Sequence, residues 1–185
     1  LDHTSFVQVD FTKIKNKSLA GANLNGTSFA YSNLSGVNLS GAILDATNFN
    51  KADLSGLDFT VISEAYIEGV RFIEANLSNS NFEGVNMAPK IATTSIFENK
   101  AHLDSFGSQG WTSDVLEMEL GLDLNMVIIS TEIRGNDLYV TYVLFNNFAY
   151  ANLEDANFKN ANLRITNFYS ANLTNADLSG ADLSN

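Results

Sequence analysis

Residues 18–59 read SLAGANLNGTSFAYSNLSGVNLSGAILDATNFNKADLSGLDF. A Leu or Phe falls on every fifth position, at Leu19, Leu24, Phe29, Leu34, Leu39, Leu44, Phe49, Leu54 and Phe59. A small residue usually stands two positions earlier, and Asn, Asp or Ser one earlier. Five is neither the strand period of about 2 nor the helix period of about 3.6. A short fixed period is the mark of a solenoid, whose units bury their apolar side chains only because neighbours stack on them.

Working outward, the beat begins at Phe6 and Phe11 and resumes at Leu19, with Ile14, Lys15 and Asn16 surplus. It stumbles again between Phe59 and Ile67, where Ile62, Ser63 and Glu64 read as a bulge. It continues at Phe72, Leu77, Phe82 and Met87 and returns from Phe148 to Leu183. Triplets such as A22-N-L24, A52-D-L54, A75-N-L77, A151-N-L153, A156-N-F158, A171-N-L173 and A176-D-L178 resemble the pentapeptide-repeat proteins, whose motif is A-(D/N)-L-x-x. The resemblance covers about two thirds of the chain. It implies an all-β fold, a right-handed quadrilateral β-helix in which four pentapeptides make one square coil. The central Leu or Phe and the small residue then point inward.

If the detours are looped out, every fourth beat stacks on one wall. The first wall reads Phe6, Phe29, Phe49, Phe72, Phe148, Phe168, and the second Phe11, Leu34, Leu54, Leu77, Leu153, Leu173. The third reads Leu19, Leu39, Phe59, Phe82, Phe158, Leu178, and the fourth Leu24, Leu44, Ile67, Met87, Leu163, Leu183. The small position under the Phe wall is Thr4, Thr27, Thr47, Val70, Asn146 and Thr166, whereas the fourth wall favours Ala. The motif treats Leu and Phe alike, so this sorting is independent support for about six coils. Outward Asn33, Asn76, Asn152 and Asn172 fit either stacked amide ladders or corner turns.

The predicted organisation is a β-helix over residues 1–89, an inserted α+β segment over 90–145, and a β-helix again over 146–185. In the insertion, Ser95 and Glu98 fit a capping box opening a helix over 96–106. A second helix is expected over 114–120 behind Ser113, and a hairpin from strands 127–133 and 138–145. Counting Leu138 and Val143 as extra repeats is rejected, because it displaces Phe148 from the Phe wall. The insertion carries a net charge of about −5 of the total −11, so acid is denser there. Long loops on a rigid scaffold are where binding residues concentrate. The candidate interaction surface is therefore Asp104, Trp111, Asp114, Glu117, Glu119 and Asp123. The competing reading makes the insertion a cover for one face of the stack, with Trp111 as its core.

The charge of −11 argues against nucleic-acid binding, which needs clustered Lys and Arg, and leaves a basic protein partner open. There is no Cys, so disulfides and thiolate chemistry are excluded. No apolar run approaches the roughly 20 residues that span a bilayer, so no membrane role is expected; the compartment is undecided. His3 and His102 lie far apart, Glu117, Glu119 and Asp123 lack the Gly and alternation of a calcium loop, and Gly107-Ser-Gln-Gly110 lacks the Lys of a phosphate loop. The chain is read as non-enzymatic, without cofactor or metal; an enzyme built around His102 has the least support. The main functional expectation is a rigid protein-interaction module displaying the acidic insertion. The resemblance implies an alternative, the acidic DNA mimics of the quinolone-resistance group that bind type II topoisomerases. Against it, Asp10, Asp53, Asp58, Asp177 and Asp182 scatter over three walls, and the closing DLSN carries no counterpart of that group's dimerisation helix. Starting at Leu1, the chain reads as a piece of something longer, with uncapped ends open to end-to-end association.

Overall fold

The computed structural model describes residues 1–62, 67–89, 91–97, 126–134 and 137–184. They form two compact units, the first comprising Leu1–Ala88 with Phe145–Asn185 and the second Pro89–Leu144.

In the first unit, the residue before each central Leu or Phe makes a parallel bridge to its equivalent in the next coil. On wall 1 the bridged column runs Ser5, Ser28, Asn48, Arg71, Asn147, Asn167, and on wall 2 Asp10, Asn33, Asp53, Asn76, Asn152, Asn172. On walls 3 and 4 the described bridges include the runs Asn81–Asn157–Asp177 and Asn86–Asn162–Asp182. The chain turns between walls through a repeated tight turn. The central residue's carbonyl accepts the N–H three positions on, as Leu24 does from Thr27 at 2.9 Å and Phe148 from Ala151 at 3.0 Å. The residue before that donor has positive φ, for example +67° at Gly41, 57° at Asn160 and 54° at Ile165, which is the requirement of a type II turn. Two inward side chains plus this turn account for the period of five.

Inside, the Phe wall is a continuous column. Phe6–Phe29, Phe29–Phe49, Phe49–Phe72, Phe72–Phe148 and Phe148–Phe168 stack at 5.4, 5.5, 5.5, 4.7 and 5.1 Å. Opposite it, Phe59, Phe82 and Phe158 stack at 4.3 and 4.7 Å. The two columns meet edge to face, as between Phe148 and Phe158 at 89°. Offset stacking along each wall and T-shaped contact across the interior satisfy the ring quadrupoles in both directions. Phe29, Phe49, Phe72, Phe82, Phe148 and Phe158 are wholly buried, each contributing about 1.5–3 kcal/mol of gross apolar transfer.

The Phe72–Phe148 contact places the two sides of the insertion on one wall, as the wall sorting required. One detour differs from expectation. Ile62 is 5% exposed and joins the core, its N–H donating to Phe59 O at 3.3 Å, so it fills the small inward position and is not surplus. The other detour forms a single 3-10 turn, Phe11–Lys13, capped by Asp10.

The second unit contains a three-stranded antiparallel sheet, β1 (Ile91–Phe97), β2 (Met126–Arg134) and β3 (Asp137–Leu144), in the order β1-β3-β2. β2 and β3 pair with Arg134 opposite Asp137, and the register shifts between Ile128 and Ser130. β1 corrects the sequence reading. Ile96 and Phe97, expected to open a helix, end a strand paired to β3, with Phe97 opposite Leu138. The run IATTSIF is dense in β-branched residues, and that preference prevails over the coincidental capping box. The remainder of that expected helix, and the one over 114–120, lie outside the described residues.

Candidate interaction surfaces

Asp104, Trp111, Asp114, Glu117, Glu119 and Asp123, together with His102, lie outside the described residues. The described surface of the second unit carries Ile129, 52% exposed on β2, and Arg134, whose guanidinium lies 4.7 Å from the Tyr139 ring and 2.7 Å from Glu132. That hydrogen-bonded pairing lowers the Glu132 pKa and raises that of Arg134.

On the first unit the outward Asn residues do both jobs open to them. Asn152 Oδ1 accepts the Glu154 N–H at 3.3 Å, an Asx turn, while its Nδ2 donates to Asn76 Oδ1 at 3.2 Å in the preceding coil. Asn172 donates in turn to Asn152 at 3.0 Å, and Asn76 donates to Asp53 at 3.1 Å. An Asp can only accept, so Asp53 suits the start of this ladder and Asp58 the start of the neighbouring one, where Asn81 donates to it at 3.4 Å. Asn33 makes the turn bond, accepting from Ser35 N at 3.0 Å.

The acids sit in similar turns. The Asp177 pKa is lowered chiefly by the Ser179 hydroxyl, and that of Asp182 chiefly by the Ser184 N–H. Asp10 is lowered first by Thr12 and then by Lys13, whose Nζ lies 3.0 Å away. His3 is exposed and pairs with Asp2 at 2.7 Å. Among the described residues no three His, Cys, Asp or Glu gather to hold a metal ion. Among the same residues no helix is long and apolar enough to cross a membrane.

One surface escaped the sequence reading. Where wall 1 turns into wall 2, the left-handed position holds Tyr31, Lys51, Glu74 and Tyr150. Lys51 Nζ lies 5.4 Å from the Tyr31 ring and 3.4 Å from Glu74, and the Glu74 charge is the first cause of its raised pKa. Tyr31 and Tyr150 are 55% and 56% exposed, and Tyr169, edge-on to Tyr150 at 5.5 Å, is 65% exposed. The signal was available two positions after each Leu or Phe, where other corners favour Gly, Asn and Asp.

A family model for pentapeptide repeats matches residues 18–56, 57–88 and 147–185 in eight copies, more than half of the chain. Among solved structures, a pentapeptide-repeat protein of the Arabidopsis thaliana thylakoid lumen is 18% identical, with 88% of this chain and 69% of that one covered and a TM-score of 0.33. The pentapeptide-repeat protein Rfr23 of the cyanobacterium Cyanothece 51142 is 19% identical, with 98% and 84% covered and a TM-score of 0.31. HetL of Nostoc, described as involved in regulating heterocyst differentiation, is 14% identical, with 98% and 90% covered and a TM-score of 0.16. No curated protein matches the chain. With its eight matched repeats and its bridged, four-walled, Phe-filled coil, the chain belongs to the pentapeptide-repeat family and folds as a right-handed quadrilateral β-helix.

Proposed function

We propose that this chain is a non-enzymatic interaction module, in which the stacked coils serve as scaffold and the inserted acidic segment engages a basic protein partner. The observation that carries the reading is the unbroken register across the insertion, with Phe72 stacked on Phe148 at 4.7 Å. A scaffold that keeps its column through so long a detour tolerates sequence change there without loss of fold, which is where binding residues accumulate. Replacing residues 89–144 by a short Gly-Ser linker should keep the coil folded and abolish capture of the partner. Equal capture by both forms would remove the insertion from the mechanism.

The second reading, an acidic mimic of DNA that binds a type II topoisomerase, is supported by the net charge of −11. Its acids are divided among walls, with Asp53 on the second, Asp58 on the third and Asp182 on the fourth. A gyrase supercoiling assay separates the readings, since the mimic should inhibit at micromolar concentration and the module should not.

A further inference from the structure

Of the four corners of the coil, the one joining wall 1 to wall 2 stands apart. Its left-handed position holds, tier by tier, Gln8, Tyr31, Lys51, Glu74, Tyr150 and Ser170, with φ between 54° and 62°. No Gly or Asn occurs among them, although those residues adopt this conformation with least strain. The corners leaving walls 2 and 3 use Gly or Asn at most equivalent positions, as at Gly36, Asn79, Gly41 and Asn160, and the corner leaving wall 4 mixes Gly26 and Gly69 with His3, Ala46 and Ile165. Backbone bonds hold the column straight: Tyr31 N–H to Asn50 O, Lys51 to Ile73 and Glu74 to Ala149, each at 2.9 Å. Strain retained at every tier of one edge, with large side chains turned outward, points to a surface kept for contact.

The order of residues along that edge names the occupant. Read from either end it runs polar, Tyr, charge, charge, Tyr, polar, and the central charges are opposite. A two-fold axis between the third and fourth tiers sets Lys51 against the partner's Glu74, Tyr31 against the partner's Tyr150 and Gln8 against the partner's Ser170. At the ends of the flanking column, the same axis brings the exposed Val7 opposite the partner's Tyr169. Self-complementarity of this kind is what an isologous interface demands.

We propose that two copies of this chain pair antiparallel along the corner carrying Tyr31, Lys51, Glu74 and Tyr150. The edge spans about 24 Å at the strand spacing of about 4.8 Å per tier. An interface that narrow belongs to the small, weak class below about 1,200 Å², so the dimer should be concentration-dependent. The proposal concerns the coil unit alone and stands apart from the role given to the insertion.

Sedimentation velocity of the purified full chain, from micromolar to near-millimolar concentration, tests it. The expected result is a shift from monomer to dimer. Lys51→Glu and Glu74→Lys should each weaken dimerisation roughly tenfold by setting like charges across the axis, and the double reversal should restore it. Tyr150→Ser, which changes no charge, should weaken it to a similar degree. Thermal melts of each variant separate lost pairing from lost fold. A monomer at every concentration would overturn the proposal, as would a dimer indifferent to both Lys51→Glu and Tyr150→Ser.

Discussion

Asn146 Oδ1 accepts the backbone N–H of Val70 at 3.0 Å, joining residues 76 positions apart in the sequence. The same amide donates through Nδ2 to Met87 O at 2.8 Å and lies 3.4 Å from Ile67 O. In an uninterrupted corner the turn's own N–H fills the central residue's carbonyl, as Thr47 N fills Leu44 O at 2.9 Å. At the insertion Asn146 stands at the position that Thr47 holds on the same wall, and its side-chain Nδ2 donates to the Met87 carbonyl in that role.

Asn146→Ala is therefore expected to destabilise the protein by about 2–4 kcal/mol, because it orphans a buried donor and a buried acceptor together. Urea unfolding should show a lower midpoint with an unchanged slope. A loss under about 0.5 kcal/mol would mean that water replaces the amide and that the clip is not structural.

The inward Thr residues make a paired test. Thr47 Oγ1 donates to Leu24 O in the preceding coil at 2.9 Å. The equivalent acceptor for Thr166 is Met87 O, which Asn146 already holds, and Thr166 Oγ1 is buried with no partner among the described residues. Thr47→Val should destabilise by about 1 kcal/mol, whereas Thr166→Val should be neutral or stabilising by up to about 1 kcal/mol. Val70 already occupies the same column and is wholly buried, so the shape fits. Equal losses at both positions would refute the assignment.

How much of this was readable beforehand follows from what each signal depends on. The Phe wall was legible because stacking demands like residues at fixed separation, and that demand survives any looped-out segment. Ile62 was misread because its burial depends on the geometry after Phe59, which the five-residue count cannot see. The strand at Ile91–Phe97 was missed because Ser95 and Glu98 match a helix-start spacing that also arises by chance. Tyr31 and Tyr150 went unnoticed because the motif leaves their position free, so the lack of Gly and Asn at that corner takes on meaning only once the backbone φ marks the position as left-handed. Nothing in the structure bears on Asp104 through Asp123, which lie outside the described residues.

The amide ladder on wall 2 has a direction, since each later coil donates to the earlier one. Asn152→Asp keeps both acceptor roles but removes the donor and faces Asn76 Oδ1 with a carboxylate oxygen. A loss of about 1 kcal/mol is expected. Asp53→Asn, at the start of the ladder, should change stability by less than about 0.5 kcal/mol. Indifference at both sites would show that the ladder bonds merely replace water.

Ile165 carries φ of 54°, an unfavourable conformation for a β-branched side chain, while Asn79, Asn160 and Asn175 hold the equivalent turn position at 57–58°. Ile165→Asn should stabilise by about 0.5–1 kcal/mol by relieving that strain. A melting temperature below that of the parent would show that the contacts of the half-buried Ile165 outweigh the strain.

The turn acids give the fold an acid limit with a definite sign. Asp177 and Asp182 are each lowered from an ordinary value of 3.8 by hydrogen bonds that exist only in the folded turn. A depressed folded pKa means that the unfolded chain takes up protons first as pH falls. Their contribution is therefore whole above the unfolded value and is lost as pH drops through it and on through the folded value. Thermal melts between about pH 6 and pH 2 should show the melting temperature falling below about pH 4. In the double variant Asp177→Asn with Asp182→Asn, the amide oxygen can take the same turn N–H at any pH, so the fall should be shallower. The Asp177→Asn change also introduces a donor facing Asn157, the preceding residue in its bridged column, raising the acid-side stability further. Identical pH profiles for parent and double variant would assign acid unfolding to other carboxylates.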